Sequence, residues 1–216
     1  MMRRYELIVF DLDGTLMDSA AKILCCLAAA AGDVGIPHPG EEAARNIIGL
    51  GMEDALVALF PDVHAAQRAR FLARFREHYL HLDKTEIKCF PGVPQGLQQL
   101  AQDGYRLAVA TGRPRRGLER VLAQTGLQPL FVASRCADEV HSKPHPLMLQ
   151  EILEETDASA GQTVMVGDTV YDMQMARSAG VDALAVSYGV HQPERLLQAG
   201  ALTCVDSFPE VCAWLR

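Results

Sequence analysis

LIVFDLDGTL, residues 7–16, is an apolar run of four residues followed by two carboxylates one residue apart and then Gly-Thr. A continuous apolar run of this length is typical of a strand buried on both faces of a parallel sheet. Asp11 comes directly after that strand. In an extended segment Asp11 and Asp13 would share a face, whereas a turn at Gly14 would separate them. The stretch therefore predicts an acidic site at the end of a buried strand.

Polar clusters recur at three later points of the chain, beside other apolar runs. They are Thr111-Gly112, Lys143-Pro144, and Gly167-Asp168 with Asp172. Open parallel sheets bind their ligands at the carboxyl ends of strands. We therefore expect all four clusters to meet in one site.

The chain divides into a strand-free segment and an alternating one. Residues 16–84 show helical patterns and no convincing strand, whereas strand and helix patterns alternate from Phe90 onwards, as in a parallel sheet with helices on both faces. We expect an α/β, doubly wound parallel-sheet core made of residues 1–15 and 85–216, with a helical domain of residues 16–84 inserted. The predicted helices of that insert lie near 18–31, 41–48, 53–60 and 64–81.

Composition excludes several classes of function. The 216 residues carry a formal net charge of −7, which argues against a general affinity for nucleic acid or anionic membranes. The longest apolar run, Ile23–Ala31, is far short of a membrane span, and the apolar run near the N-terminus is too short for a signal peptide. None of the six cysteines forms a Cys-x-x-Cys pair, which favours free thiols and a cytoplasmic location.

The carboxylates point to phosphoryl transfer. Asp11 could attack an electrophilic phosphorus and form an acyl phosphate. Asp11, Asp13 and Asp168 together would make an oxygen-rich nest suited to Mg²⁺. Asp13 could act as general acid to the leaving alcohol and as general base to water. Asp172, four residues after Asp168, could orient Lys143 or a bound water, or could simply interact with its helix dipole.

The remaining polar residues suit the binding of a phosphate. The Thr111 hydroxyl and the amides of Gly112 and Arg113 could hold a phosphoryl oxygen. Lys143 is followed by Pro144 and Pro146, which restrict its loop, and it could neutralise charge on the transferring group. Arg113 could instead touch substrate or simply lie in a solvated loop.

These residues resemble the four motifs of haloacid dehalogenase superfamily phosphatases, in particular the phosphoglycolate phosphatase-like subgroup, which has a helical cap after the first motif. The resemblance implies that Asp11 is the nucleophile and a metal ligand, and that Asp13 is the acid/base, with its backbone carbonyl on Mg²⁺. It also implies that Thr111 and Lys143 bind the phosphoryl group. Asp168 would ligate the metal, and Asp172 would support it.

Two features bear on substrate choice. Many relatives have Asn-Lys after the motif-two threonine, where this chain has Gly112-Arg113. Gly49-Leu50-Gly51 lies between two predicted cap helices and is either a helix break or, as in caps of this family, a substrate-specificity loop.

We therefore expect a Mg²⁺-dependent phosphatase acting on a small phosphorylated metabolite, with phosphoglycolate as the best single guess. The alternatives are a phosphotransferase such as a sugar-phosphate mutase, or a non-catalytic regulatory protein of the same fold. We expect a monomer or weak homodimer that binds neither nucleic acid nor membranes.

Overall fold

The computed structural model describes residues 4–216. Its strands are β1 (Leu7–Phe10), β2 (Met17–Asp18), β3 (Lys88–Cys89), β4 (Arg106–Thr111), β5 (Phe131–Cys136), β6 (Thr163–Gly167), β7 (Asp182–Val186) and β8 (Thr203–Val205). Six of them form one sheet in the order β5-β4-β1-β6-β7-β8, and every neighbouring pair is parallel. The predicted α/β fold with a parallel sheet is confirmed. Strand β1 lies between β4 and β6, so the ends of these three strands are adjacent.

Helices cover both faces of this sheet. They are α1 (Ala20–Val34), α2 (Glu41–Asn46), α3 (Met52–Leu59), α4 (Ala65–Glu77), α5 (Val93–Gln102), α6 (Arg115–Thr125), α7 (Leu147–Thr156), α8 (Val170–Ala179), α9 (Pro193–Ala199) and α10 (Phe208–Leu215). Ile8 and Phe10 of β1 pack with α5, α6 and α10, whereas Leu7 and Val9 pack with α7, α8 and α9. Successive strand residues point to opposite faces, so β1 is buried from both sides. All four of its residues are 0% exposed.

Helices α1 to α4 lie between β2 and β3 in the chain and have an apolar cluster of their own. We call this helical segment the cap. Phe60 and Phe71, 5.2 Å apart between ring centroids, lie in this cluster with buried residues of α1, α2 and α3. The predicted helix over 64–81 is shorter than expected, because α4 ends at Glu77 and a π-helical turn, His78–Leu82, continues it. Among residues 4–216, no helix has both the length and the apolar character needed to cross a membrane.

Two chain crossings join the cap to the sheet. There the short strands β2 and β3 pair antiparallel, Met17 opposite Cys89 and Asp18 opposite Lys88. This two-stranded ribbon corrects the expectation that the segment from residue 16 contains no strand. The ribbon lies at the two ends of the helical segment, where the chain leaves the core and returns to it.

Candidate active site

Three adjacent strands bring the expected residues together. Asp11 follows the last residue of β1, Thr111 ends β4, and Asp168 follows the last residue of β6. All three side chains are buried at the carboxyl edge of the sheet. The expected meeting of the clusters at that edge is what the structure shows.

Lys143 joins this group from the loop before α7. Its Nζ lies 2.6 Å from Oδ1 of Asp11 and 2.7 Å from Oδ1 of Asp172, with all three side chains almost fully buried. Burial opposes the positive charge, but Asp11 and Asp172 outweigh it and raise the pKa of Lys143 above its usual value. Lys143 is therefore a charged, fixed ammonium beside the proposed nucleophile.

Asp11, Asp168 and Asp172 form the candidate metal centre. Each offers a carboxylate oxygen, and these atoms lie within 4.8 Å of one another. The expected nest contained the carboxylate of Asp13, but the structure puts that of Asp172 there instead, because the chain turns after Asp11. Oδ2 of Asp11 is buried and has no hydrogen-bond partner among residues 4–216. A hard divalent cation such as Mg²⁺ fits this set of oxygens.

Burial and the mutual repulsion of the carboxylates raise the pKa values of Asp11 and Asp168. Burial is the main cause that raises the pKa of Asp11 well above its usual range; Asp172 and Asp168 add to the rise, and Lys143 opposes it. Burial, followed by the charge of Asp172, raises the pKa of Asp168 to about 7. A bound cation would favour the charged carboxylates and reverse these shifts.

The Asp168 carboxylate is held in place by two hydrogen-bond donors and by backbone that packs closely against it. Thr15 Oγ1 donates to its Oδ1 at 2.8 Å, and the Val190 N–H donates to its Oδ2 at 2.8 Å. A Cβ at Gly14, which has φ +88°, would lie 2.1 Å from Oδ2 of Asp168, and one at Gly189 would lie 2.4 Å from it. Gly14 and Thr15 of the first motif therefore position the carboxylate of Asp168 in the last motif. The sequence pattern did not reveal this role.

Asp172 has two functions in the structure. Its Oδ2 accepts hydrogen bonds from the Thr169 N–H at 3.0 Å and from Thr169 Oγ1 at 2.7 Å, which closes a capping box at the start of α8. Its Oδ1 contacts Lys143. The structure therefore brings Asp172 into contact with both the start of α8 and Lys143, the two places that the sequence had left open. Thr169 was missed, although Thr-x-x-Asp before an apolar run is a recognisable capping signal.

Asp13 points away from the metal cluster. Arg113 donates two hydrogen bonds to its carboxylate, from Nε to Oδ2 at 2.7 Å and from Nη2 to Oδ1 at 2.5 Å. Ser19 also donates to Oδ1. Although burial favours the neutral acid, Arg113 and Ser19 outweigh it and hold the pKa of Asp13 below its usual value. Arg113 is buried, so the solvated-loop interpretation of this residue is wrong.

The cap loop Gly49-Leu50-Gly51 lies on the core beside the site. A Cβ at Gly112 would lie 2.5 Å from the carbonyl oxygen of Leu50 and 2.6 Å from that of Gly49. The Gly51 N–H donates to Ser142 Oγ, next to Lys143, at 2.6 Å. The loop therefore packs directly against the residues that follow Thr111 and precede Lys143, and it is more than a break between helices.

The model of the haloacid dehalogenase-like hydrolase family matches residues 8–186. The chain belongs to this family and is therefore an enzyme of the hydrolase class. It is 39% identical over 212 residues to "Probable phosphatase IndB" of Dickeya dadantii (strain 3937), covering 95% of this chain and 91% of that protein. It is 32% identical over 212 residues to "Phosphoglycolate phosphatase, plasmid" of Cupriavidus necator, covering 96% and 92% respectively.

Solved structures share the complete fold. The crystal structure of a "predicted phosphoglycolate phosphatase" from Haemophilus somnus 129pt superposes with a TM-score of 0.88 at 25% identity, and the match covers 100% of both chains. The resemblance to phosphoglycolate phosphatase-like members of the family is confirmed.

Proposed function

We propose that this chain is a Mg²⁺-dependent phosphatase that hydrolyses a small organic phosphate monoester through an aspartyl-phosphate on Asp11. The observation that carries the proposal is the buried carboxylate of Asp11, which lies at a strand end against Lys143 and shares a cluster with Asp168. Relatives that are named phosphatases match almost the whole chain, and they support the reaction class. A relative named phosphoglycolate phosphatase makes 2-phosphoglycolate the best single substrate.

In the first half-reaction a carboxylate oxygen of Asp11 attacks phosphorus, and the bond from phosphorus to the ester oxygen breaks. Asp13, protonated after its carboxyl has left Arg113, donates a proton to the departing oxygen, so that the alcohol leaves neutral. Thr111 and Lys143 bind the phosphoryl oxygens, and Lys143 offsets their negative charge. The phosphoryl group is then attached to Asp11 as an acyl phosphate.

In the second half-reaction water attacks the phosphorus of the aspartyl-phosphate. Asp13, now deprotonated, accepts a proton from this water, and the bond between phosphorus and Asp11 breaks. Inorganic phosphate leaves, and both carboxyls return to their starting forms. One general acid/base therefore serves both halves of the cycle.

We assign the metal to Asp11, Asp168 and Asp172, with the Asp13 backbone carbonyl as the further ligand that the family resemblance implies. Bound Mg²⁺ would supply positive charge that offsets the repulsion between the carboxylates and the phosphate. Thr15 and the backbone beside Asp168 would keep that ligand oriented.

The direct test is phosphate release by wild type and Asp11→Asn, with Mg²⁺ or with EDTA. We expect release only by wild type with Mg²⁺, and a loss on the order of 10⁴-fold or more in the variant. Acid-quenched wild type should carry one phosphoryl group on the peptide that contains Asp11. Asp62→Asn, the same change at an exposed position, is the matched control. Equal activity of wild type and Asp11→Asn would refute the mechanism.

A panel of phosphate esters separates the alternatives. Isomerised sugar phosphate without phosphate release would indicate a phosphotransferase, and no turnover of any ester would indicate a regulatory protein. The cytoplasmic location, the monomer or weak homodimer, and the small-metabolite partner stay predictions.

A further inference from the structure

Arg113 and Asp13 form a buried bidentate pair at the boundary between core and cap. Only 9% of the Arg113 side chain and 10% of the Asp13 side chain are exposed. A guanidinium presents its N–H groups in a fixed fork that matches the two oxygens of a carboxylate. The structure therefore contains a built carboxylate-binding site, now filled by a carboxylate of the chain itself.

The pair conflicts with the role of Asp13 in the proposed function. Oδ1 of Asp13 accepts from both Ser19 and Arg113, and Oδ2 accepts from Arg113. An oxygen that delivers a proton to the leaving alcohol has to face that alcohol and not the guanidinium. Asp13 must therefore give up at least part of its contact with Arg113 during the reaction.

Arg113 loses its counter-charge when the carboxylate of Asp13 moves away. A buried cation that loses its counter-charge carries a large desolvation penalty. On the cap side the Tyr79 ring lies against Arg113, with its centroid 5.5 Å from the guanidinium carbon. A neutral ring does not replace the charge of a carboxylate, so a carboxylate of the substrate would restore the pairing in the reacting state.

The position of Arg113 suits a carboxylate on the substrate. Its backbone N–H donates to Thr111 Oγ1 at 3.2 Å, so it is anchored to the proposed phosphoryl contact. Its guanidinium extends to Asp13, which has to face the ester oxygen of the substrate. A substrate carboxylate close to that ester oxygen would therefore be within the same region as the fork. The nearby loop Gly49-Leu50-Gly51 has no charged side chain that could compete.

We propose that Arg113 is a specificity-determining residue that exchanges the carboxylate of Asp13 for a carboxylate of the substrate. The substrate class is a phosphate monoester with a carboxylate one or two carbons from the ester oxygen, which includes 2-phosphoglycolate. Binding of such a substrate releases Asp13 towards the leaving oxygen. This inference rests on the proposed function and adds to it how the enzyme selects its ester.

The test compares kcat/KM for 2-phosphoglycolate with that for 2-hydroxyethyl phosphate, in which a neutral hydroxymethyl group replaces the carboxylate. Wild type should favour 2-phosphoglycolate by on the order of 100-fold or more. Arg113→Gln should reduce this ratio to within about tenfold, and Arg113→Lys should lie between, because lysine keeps the charge and loses the fork. Both leaving groups are primary alkoxides, so misplacement of Asp13 alone would lower both rates and leave the ratio unchanged.

Arg116→Gln is the matched control, because Arg116 is an exposed arginine three residues later. It should keep the wild-type ratio. Formate should accelerate the hydrolysis of methyl phosphate by wild type but not by Arg113→Gln, since formate can occupy the fork when the ester has no carboxylate.

The outcomes separate the two proposals. Efficient, Asp11-dependent hydrolysis of both esters with no preference in wild type, or a preference that persists in Arg113→Gln, would overturn the inference and leave the phosphatase mechanism intact. If no ester is hydrolysed, the binding of the two esters to the Asp11→Asn protein, measured by calorimetry, still tests whether Arg113 recognises the substrate carboxylate. There a preference for 2-phosphoglycolate that Arg113→Gln abolishes supports the site, and equal binding refutes it.

Discussion

At the scale of single residues, Thr15 is fully buried and is committed to one carboxylate. Its hydroxyl donates to Oδ1 of Asp168, while the backbone at Val190 donates to the other oxygen. Neither donor is a proposed ligand or reacting group. Such outer contacts fix the orientation of a ligand carboxylate, and their loss weakens metal binding even when all the ligands remain.

We expect Thr15→Val, which keeps the shape and removes the hydroxyl, to raise the Mg²⁺ concentration for half-maximal activity by about 10–100-fold. Thr15→Ser should stay close to wild type, because serine retains the donor. The measurement is phosphate release as a function of Mg²⁺ concentration. An unchanged Mg²⁺ requirement in Thr15→Val would show that the hydrogen bond has no role in metal binding.

Residues that follow strands could be recognised from the sequence, whereas pairs formed across the fold could not. Asp11, Thr111 and Asp168 each stand directly after or at the end of an apolar run, and parallel strands bring such positions together. The contact between Asp13 and Arg113 joins residues 100 positions apart, and no local pattern marks it. The sequence raised Arg113 as a possible substrate contact but did not suggest its burial.

At the scale of elements, the longer buried strands can be recognised from the sequence and the short ones cannot. Strands β1, β4, β6 and β7 consist of strongly apolar residues, so their presence follows from composition alone. Strands β2 and β3 have two residues each and β8 has three, too few to show a periodicity. Their pairing depends on neighbouring strands that are distant in sequence, which a local pattern does not contain.

The contact between the cap loop and Gly112 gives a prediction at this scale. In Gly112→Ala the new Cβ would meet the carbonyl oxygens of Gly49 and Leu50, and backbone atoms of a packed loop cannot move as a flexible side chain does. We expect the loop to be displaced and kcat/KM to fall by about 10–100-fold, with the sheet intact. Steady-state kinetics with a thermal unfolding curve check both parts.

Gly161→Ala is the control for that experiment, because a Cβ there has nothing within 4 Å. It should leave the kinetics unchanged. Wild-type kinetics in Gly112→Ala would show that the cap loop does not need this position during turnover.

At the scale of the whole molecule, cap and core meet in several hydrogen bonds besides the loop. Tyr171 Oη donates to the Asn46 carbonyl oxygen at 2.7 Å, and Arg195 Nη1 donates to Asn46 Oδ1 at 2.6 Å. Within the cap, Lys22 Nζ donates to the carbonyl oxygen of Asp83 at 3.0 Å, and it also donates to that of Thr85 at 3.1 Å, where the chain returns to the core. We propose that residues 16–84 move as a cap on a core of residues 1–15 and 85–216, and that the two hydrogen bonds to Asn46 hold it closed.

The buried carboxyls also couple the stability of the molecule to pH. The pKa of Asp168 is about 7 in the folded chain against an ordinary 3.8, so the metal-free folded state binds more protons than the unfolded state between these values. Its contribution to the free energy of unfolding therefore falls as pH rises from about 4 to about 7. His191 acts in the opposite direction, since burial, with the charge of Arg195, lowers its pKa from 6.5 to about 4. Asp11, whose pKa is also raised, acts in the same direction as Asp168, so a single pH curve mixes at least three groups. A comparison of variants is needed to separate them.

We expect Mg²⁺ to stabilise the folded chain increasingly as pH rises through about 7, because the cation binds deprotonated carboxylates and displaces their protons. At a Mg²⁺ concentration of 100 times the Kd, the gain at high pH should approach about 2.7 kcal/mol. Urea unfolding between pH 5 and 8, with Mg²⁺ or EDTA, measures it. Asp168→Asn should lose most of the stabilisation by Mg²⁺, and in EDTA its free energy of unfolding should fall less steeply with pH. Asp62→Asn, at an exposed position, should behave like wild type in both respects. His191 is unchanged in both variants, so the difference between them reports on Asp168 and on its interaction with Asp11. An equal gain from Mg²⁺ at pH 5 and pH 8 would mean that the cation binds elsewhere than on this carboxylate.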